Sequence, residues 1–230
     1  MMGAGSGCRQ RSAFSLVELL GAVSIAVLLL ALIGPAFANM ANAGKRRAAL
    51  IKVLNLMESA RVTALSTSAK TYLGFADADF PDPEQAYRQM ILFRDHVEYL
   101  DGPQPAGSGH LVRVLGKWEH LPDGIAFYDD AQLNSIIGDD GHTVTISSKT
   151  GFPSMPNGGT LKAISWNSTG MIEDPADPAA MQLILFEGFY KDGQVSFTRN
   201  AWHQTTQAGL FDQIQLSRFS GRAQLVVDSL

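Results

Sequence analysis

Cysteine is almost missing from this chain: Cys8 is the single one among 230 residues. No intramolecular disulfide can form, so a small disulfide-stapled fold is excluded. Charge is also scarce, at 17% of residues against about 25% in an ordinary soluble domain. With 46% hydrophobic residues, the chain as a whole is not disordered. The histidines, at 96, 110, 120, 142 and 203, show neither H-x-x-x-H nor H-E-x-x-H spacing, so no transition-metal site is expected. There is no G-x-S-x-G motif, and no serine has a recognisable base partner. Gly3 to Gly7 lacks the preceding strand that a phosphate loop needs. The residues therefore point away from an enzyme, and no cofactor is expected.

The charge deficit has a location. Residues 1–44 carry three charged side chains, Arg9, Arg11 and Glu18, while residues 45–70 carry six basic and one acidic, a balance of +5. Residues 71–230 carry ten basic and twenty acidic, a balance of −10. An acidic head is a poor general binder of nucleic acid, because that binding rests on cations neutralising phosphates. DNA is therefore not expected as a partner.

From Leu19 to Gly44 no residue is charged. About twenty apolar helical residues rise roughly 30 Å, the thickness of a bilayer core. Three readings of this segment compete: a transmembrane anchor, a secretory signal peptide, and a prepilin-type segment that is cut on its N-terminal side and kept. For a signal peptide speak Arg9 and Arg11 ahead of the apolar run, and Ala36-Phe37-Ala38 as an A-x-A cleavage site. Against it stand the length of the run from Leu16 to Ile33, beyond the usual 7 to 15 residues, and Glu18 within its start. A carboxylate in an apolar segment is by default a functional group with a partner to be named.

The stretch Ala13-Phe14-Ser15-Leu16-Val17-Glu18-Leu19-Leu20 resembles the class III signal of type IV pilins and type II secretion pseudopilins. The resemblance implies that a prepilin peptidase cuts between Ala13 and Phe14, that the new amine of Phe14 is methylated, and that this amine pairs with Glu18 of a neighbouring subunit during filament assembly. Ala13 stands where the family usually has glycine. Pro35 stands where many pilins carry a proline, and Gly34-Pro35 alone predicts a helix kink. The residues flanking the apolar run carry similar positive charge on both sides, so charge does not set the topology. The resemblance places the leader in the cytoplasm and the head outside.

Past the apolar run, Leu50, Val53, Leu54, Met57, Ala60, Ala64 and Leu65 recur at three- and four-residue spacing, which predicts an amphipathic helix ending near Ser68. Short β-rich runs follow, at 71–76, 87–93, 111–118, 125–128, 143–147, 161–166, 181–190, 195–199, 214–219 and 223–227, with hairpin turns at Asp192-Gly193 and Ser220-Gly221. A short helix is expected at 130–137. The linkers at 77–85, 101–109, 151–159 and 173–178 are polar. Trp118, Trp166, Trp202, Phe127, Phe152 and Phe186 read as core aromatics. Asp77, Asp79, Asp82 and Glu84 offer oxygen atoms for calcium but lack the EF-hand pattern. Asp139-Asp140-Gly141-His142 reads as a polar turn, and so does the formal sequon Asn167-Ser168-Thr169.

The order of Ala60-Arg61-Val62-Thr63-Ala64, Leu121-Pro122-Asp123-Gly124-Ile125, Ile164 to Gly170, and Ser220-Gly221-Arg222 resembles the landmarks of the GspH/FimT minor pseudopilins. The layout is also similar to the Verru_Chthon cassette protein D family. The expected fold is α+β, a long N-terminal helix with a membrane-spanning first half, packed on an antiparallel β-rich head. The expected organisation is a leader at 1–13, a transmembrane helix segment at 14–38, an amphipathic stem at 39–70 and a head at 71–230. The resemblance implies a minor pseudopilin, a single-pass inner-membrane subunit with a periplasmic or extracellular head. Its implied partners are the prepilin peptidase, other pilins or pseudopilins, the inner-membrane assembly platform and membrane lipid. Two alternatives are a pilus-tip adaptor that binds a substrate or DNA, and a secreted domain cleaved after Ala38.

Overall fold

A computed structural model describes residues 16–96, 111–129, 136–137, 143–174, 181–191, 193–198, 202–203, 208–209 and 211–226. The chain divides into two compact units, Met1–Ala43 and Gly44–Leu230. One helix, α1, is assigned over Leu16–Thr67.

In the first unit, the side chains from Leu16 to Leu30 are exposed and those of residues 31–42 lie outside the described set. Among the described residues no helix is long and apolar enough to cross a membrane. The expected membrane-spanning first half of the helix is corrected accordingly, and with it the transmembrane segment at 14–38 as a spanning element and the single-pass inner-membrane location.

In the second unit the part of α1 from Gly44 on behaves as its periodicity predicts. Ala49, Val53, Met57, Ala60 and Ala64 are buried, at spacings of three and four that align them on one face. Three of the five are alanine, so the helix backbone can lie close to the sheet. Val62 and Leu65 stay exposed. The helix ends where Ser68 takes a left-handed conformation, φ +52°, and the hydroxyls of Ser66 and Thr67 donate to the carbonyl of Thr63. These bonds occupy an acceptor of the last turn.

Seven strands form the first antiparallel sheet: β1 (Thr71–Phe75), β2 (Gln89–Asp95), β3 (Val112–Val114), β4 (Glu119–His120), β6 (Thr143–Ile146), β7 (Gly159–Trp166) and β8 (Ile172–Asp174). Their order is β3-β2-β1-β7-β6, with β4 also on β2 and β8 also on β7. Strand β1 is central and wholly buried. Gly74 in its middle faces Ile91 and Ala163 across the two ladders. A Cβ there would lie 2.9 Å from the Phe93 ring, so the aromatic packing requires glycine. The second sheet contains β5 (Ile125–Phe127), β9 (Gln182–Lys191), β10 (Gln194–Phe197), β13 (Phe211–Leu216) and β14 (Ala223–Val226), ordered β10-β9-β13-β14 with β5 on β9. A separate pair joins β11 (Trp202–His203) to β12 (Ala208–Gly209).

Tyr87 joins the two sheets. Its N–H donates to Ala76 at the end of β1 (2.7 Å), and its carbonyl accepts from Phe127 of β5 (2.8 Å). This takes a positive φ of +60°, a conformation that costs on the order of 1–3 kcal/mol for a residue other than glycine. The side chain offsets it: the ring stacks on Tyr190 at 4.0 Å and the hydroxyl donates to Asp129 at 2.6 Å. Burial, then the hydrogen bond to Asp129, push the Tyr87 hydroxyl far above its ordinary pKa.

The α+β class, the antiparallel head and the helix end agree with expectation. The helix expected at 130–137 lies mostly outside the described residues, with Ile136 and Ile137 in a buried turn. The run expected at 111–118 is shorter, because Leu115 to Trp118 leave the ladder before β4 begins.

Candidate functional site

Two segments that the sequence presents as polar linkers meet in space. The β1–β2 connection and the segment ahead of β7 frame an open groove of about 420 Å³, lined by Asp79, Pro81, Ser154, Met155, Pro156, Asn157 and Gly158 to Thr160. The ladder of β1 with β7, which pairs Phe75 with Lys162, brings them together.

Glycine shapes one wall. Gly158 has φ +74°, and a Cβ on it would lie 2.5 Å from the Ile146 carbonyl oxygen and 2.7 Å from the Ser148 nitrogen. A Cβ on Gly159 would strike the methyl of Met155. Ser154 also takes a positive φ, +63°. The segment is thus folded tightly onto the 3-10 turn Ser148–Thr150, which Ser147 caps and Gly151 ends.

Phe80 and Phe152, from the two segments that frame the groove, belong to one chain of packed aromatic rings. Phe80 meets Trp118 edge-on at 4.9 Å, Trp118 meets Phe152 at 6.2 Å, Phe152 meets Phe93 at 5.3 Å, and Phe93 stacks on Tyr72 at 5.0 Å. Such pairs contribute about 0.5–1.5 kcal/mol each beyond area burial. Trp118 also donates its indole N–H to the Pro153 carbonyl at 3.1 Å.

The acidic loop beside it is engaged with its own backbone. Asp77 accepts from the Asp79 N–H at 3.2 Å, and Asp82 from the Glu84 N–H at 3.1 Å. These are turn-capping contacts, the common use of Asp in loops. Burial raises the Asp77 carboxyl above the usual range, with the Asp79 N–H opposing. Among the described residues no group of three or more His, Cys, Asp or Glu side chains is arranged to hold a metal ion. Asp139, Asp140 and His142 lie outside those residues.

A polar cluster lies at the far end of β1. Lys70 reaches Asp174 at 2.7 Å and Glu173 at 3.4 Å. Ser165, fully buried, donates its hydroxyl to Asp174 at 3.0 Å and accepts the Asp174 N–H at 3.1 Å. Burial opposes the Lys70 charge, but the hydrogen bond and charge of Asp174 outweigh it and hold the ammonium above its ordinary pKa. Tyr72 donates to Asp95 at 3.2 Å, and burial followed by that carboxylate raise its hydroxyl. This cluster superficially resembles a Ser-Lys catalytic arrangement. Its hydroxyl donates to Asp174, the same carboxylate that holds the Lys70 ammonium.

Of the residues expected to matter from sequence, Ala13 and Phe14 lie outside the described residues. Glu18 stands in the first turn of α1, and Gly34 and Pro35 fall within the assigned helix. Trp118, Trp166, Phe127, Phe152 and Phe186 are buried as expected; the Trp202 side chain is not described. Asn167 makes the expected turn, its side-chain oxygen accepting from Thr169 and Met171 N–H. The groove residues were hidden in the sequence. Their signal was Pro156-Asn157-Gly158-Gly159, a turn-forming run directly before a strand.

Compared with protein-family models, curated proteins and solved structures, the chain finds no match in any of the three. With no match and no spanning helix among the described residues, the expected minor pseudopilin, a subunit of a secretion pseudopilus or pilus-like filament, is corrected. The local motifs at Phe14–Glu18 and around Trp166 do not extend to an identifiable family.

Proposed function

We propose that the chain is a secretory precursor, cut after Ala38, and that the part from Asn39 on is a β-rich, non-enzymatic binding domain. The observation that carries this reading is the division of the chain at Ala43–Gly44, five residues beyond the A-x-A site. The buried apolar residues described begin only at Ala49. A cut after Ala38 thus leaves the described core intact. Arg9 and Arg11 supply the charged start of such a leader, and the uncharged run from Leu19 to Ala38 supplies its apolar part.

The groove against Asp79, Pro81 and Pro156 supports a binding rather than a catalytic role. Its polar groups, Asp79, Ser154, Asn157 and Thr160, supply hydrogen-bonding capacity without a nucleophile–base pair. N-terminal sequencing and intact mass of the exported protein test the reading. A mature chain beginning at Asn39 is expected; one beginning at Phe14, or one retaining Met1, overturns it.

A further inference from the structure

The most exposed large apolar side chain described in the second unit is Phe219, 82% accessible at the turn between β13 and β14. A bare phenyl ring on a hairpin tip gains nothing for folding, and exposed aromatics flanked by arginine are typical of interface anchors. Here Arg218 precedes it, and Arg222, itself exposed, follows. The turn is held rigidly. Gly221 takes φ +65° and its carbonyl accepts the buried Trp166 indole at 2.9 Å, while Arg61 of α1 donates to the Ser220 carbonyl at 2.8 Å. The knob is therefore presented on a fixed mount, which limits the ordering cost of binding.

The groove is complementary to it. It is larger than a single phenyl ring, its apolar surfaces are Pro81, Met155 and Pro156, and Asp79 lines it with Asp82 and Glu84 following in the same loop. A phenyl ring with the exposed Arg222 nearby fits a groove that offers Pro81, Met155 and Pro156 as apolar surface and Asp79 as an opposite charge. The two features lie at opposite ends of β7: Gly159 and Thr160 line the groove, while Trp166 at the other end anchors the knob. Eight strand residues separate them by roughly 23 Å, so no copy can fill its own groove.

We propose that the occupant of the groove is Phe219 of a second copy of this chain, docked head to tail, with Arg222 facing Asp79. Such a heterologous contact leaves a free knob at one end and a free groove at the other, and propagates unless it closes into a ring. The contact is independent of where the leader is cut. It is formed wholly by residues after Gly44.

Site-directed cross-linking of the full chain, with Cys8→Ser as background, tests it. Oxidation of a variant carrying both Ser220→Cys and Asn157→Cys, which keeps Phe219 and Pro156 in place, is expected to give a ladder of reducible oligomers. Either cysteine alone is expected to give none, because the docked partners differ. Oligomers with equal yield from the single variants, or a monomer from the double variant, overturn the proposal. Both positions are exposed, and a thermal melt of each variant confirms folding. In the double-cysteine background, Arg222→Asp and Asp79→Arg are each expected to lower the yield roughly tenfold, about 1.4 kcal/mol. Mixing chains that carry the two reversals singly should restore the ladder as an alternating polymer, since each knob then meets a groove of opposite charge, and both reversals in one chain should restore it as well. Failure of restoration overturns the pairing.

Discussion

Trp166 donates its indole N–H to the carbonyl of Gly221, 55 residues further along the chain, at 2.9 Å and fully buried. This bond clasps the end of β7 to the turn after β13, linking the two sheets. The site has no spare room. A Cβ on Gly221 would strike the Gly170 carbonyl oxygen, and a Cβ on Gly170 would meet the Leu65 side chain of α1 at 3.0 Å.

Gly221→Ala should therefore cost on the order of 3 kcal/mol, combining a left-handed φ with a backbone collision. Trp166→Phe should cost about 1–3 kcal/mol from the carbonyl left without its donor, with a further loss of packing. Urea unfolding monitored by circular dichroism reads both through the midpoint at constant slope. An unmoved midpoint for Gly221→Ala would contradict the geometry.

Arg46 makes a two-pronged contact with Asp212 of β13, at 2.8 Å through Nε and 2.6 Å through Nη2, with both side chains largely covered. Arg46→Ala should lower stability by on the order of 1 kcal/mol, and Arg46→Lys should recover only part of it, since lysine lacks the planar fork. A double-mutant cycle with Asp212→Asn isolates the pair; zero coupling would refute its contribution.

Asp77 gives a pH prediction of definite sign. Burial raises its folded pKa, so its protonated form is favoured by folding. The stability it confers is complete below the unfolded carboxyl pKa and is lost as pH rises through the folded value. Asp77→Asn, which keeps the acceptor for the Asp79 N–H, should raise stability at neutral pH, with the advantage shrinking as the medium is acidified. Melting temperatures of both proteins across the acidic range test this, and a growing advantage in acid would reverse the sign. Lys70 acts at the other extreme. Its raised pKa means that its stabilising share is complete below the unfolded lysine value and disappears in alkali, an alkaline loss that Lys70→Met should abolish.

Gly74→Val places a branched side chain against the Phe93 ring, where even a Cβ would approach to 2.9 Å. In the wholly buried β1, no neighbour can yield cheaply. A loss of about 1–3 kcal/mol is expected, read as a lower melting temperature. A neutral outcome would show that the aromatic chain repacks.

The legible parts of the fold were those with a repeating period. Val53, Met57, Ala60 and Ala64 mark one helical face by spacing alone, and the long runs of β7 and β9 read as buried strands. Gly193 and Gly221 hold the positive φ that their turns predict. Strands of two or three residues, such as β8, β11 and β12, offer too few positions for an alternation to emerge. The groove escaped for another reason: Asp79 and Asn157 become neighbours only through strand pairing, and pairing partners leave no mark in local composition. The apolar N-terminal run was overread, because hydropathy alone does not distinguish a leader from an anchor.

The indole of Trp118 donates to the carbonyl of Pro153, the residue before Ser154 of the groove, whereas that of Trp166 is sealed inside, with no accessible surface. Of the three tryptophans, Trp118 is thus near the groove and Trp166 is shielded, while Trp202 is the third. In a Trp202→Phe background, occupancy that shifts residues 153–160 will alter the fluorescence of Trp118 and leave that of Trp166 as an internal reference, so binding at the groove is measurable without an added label.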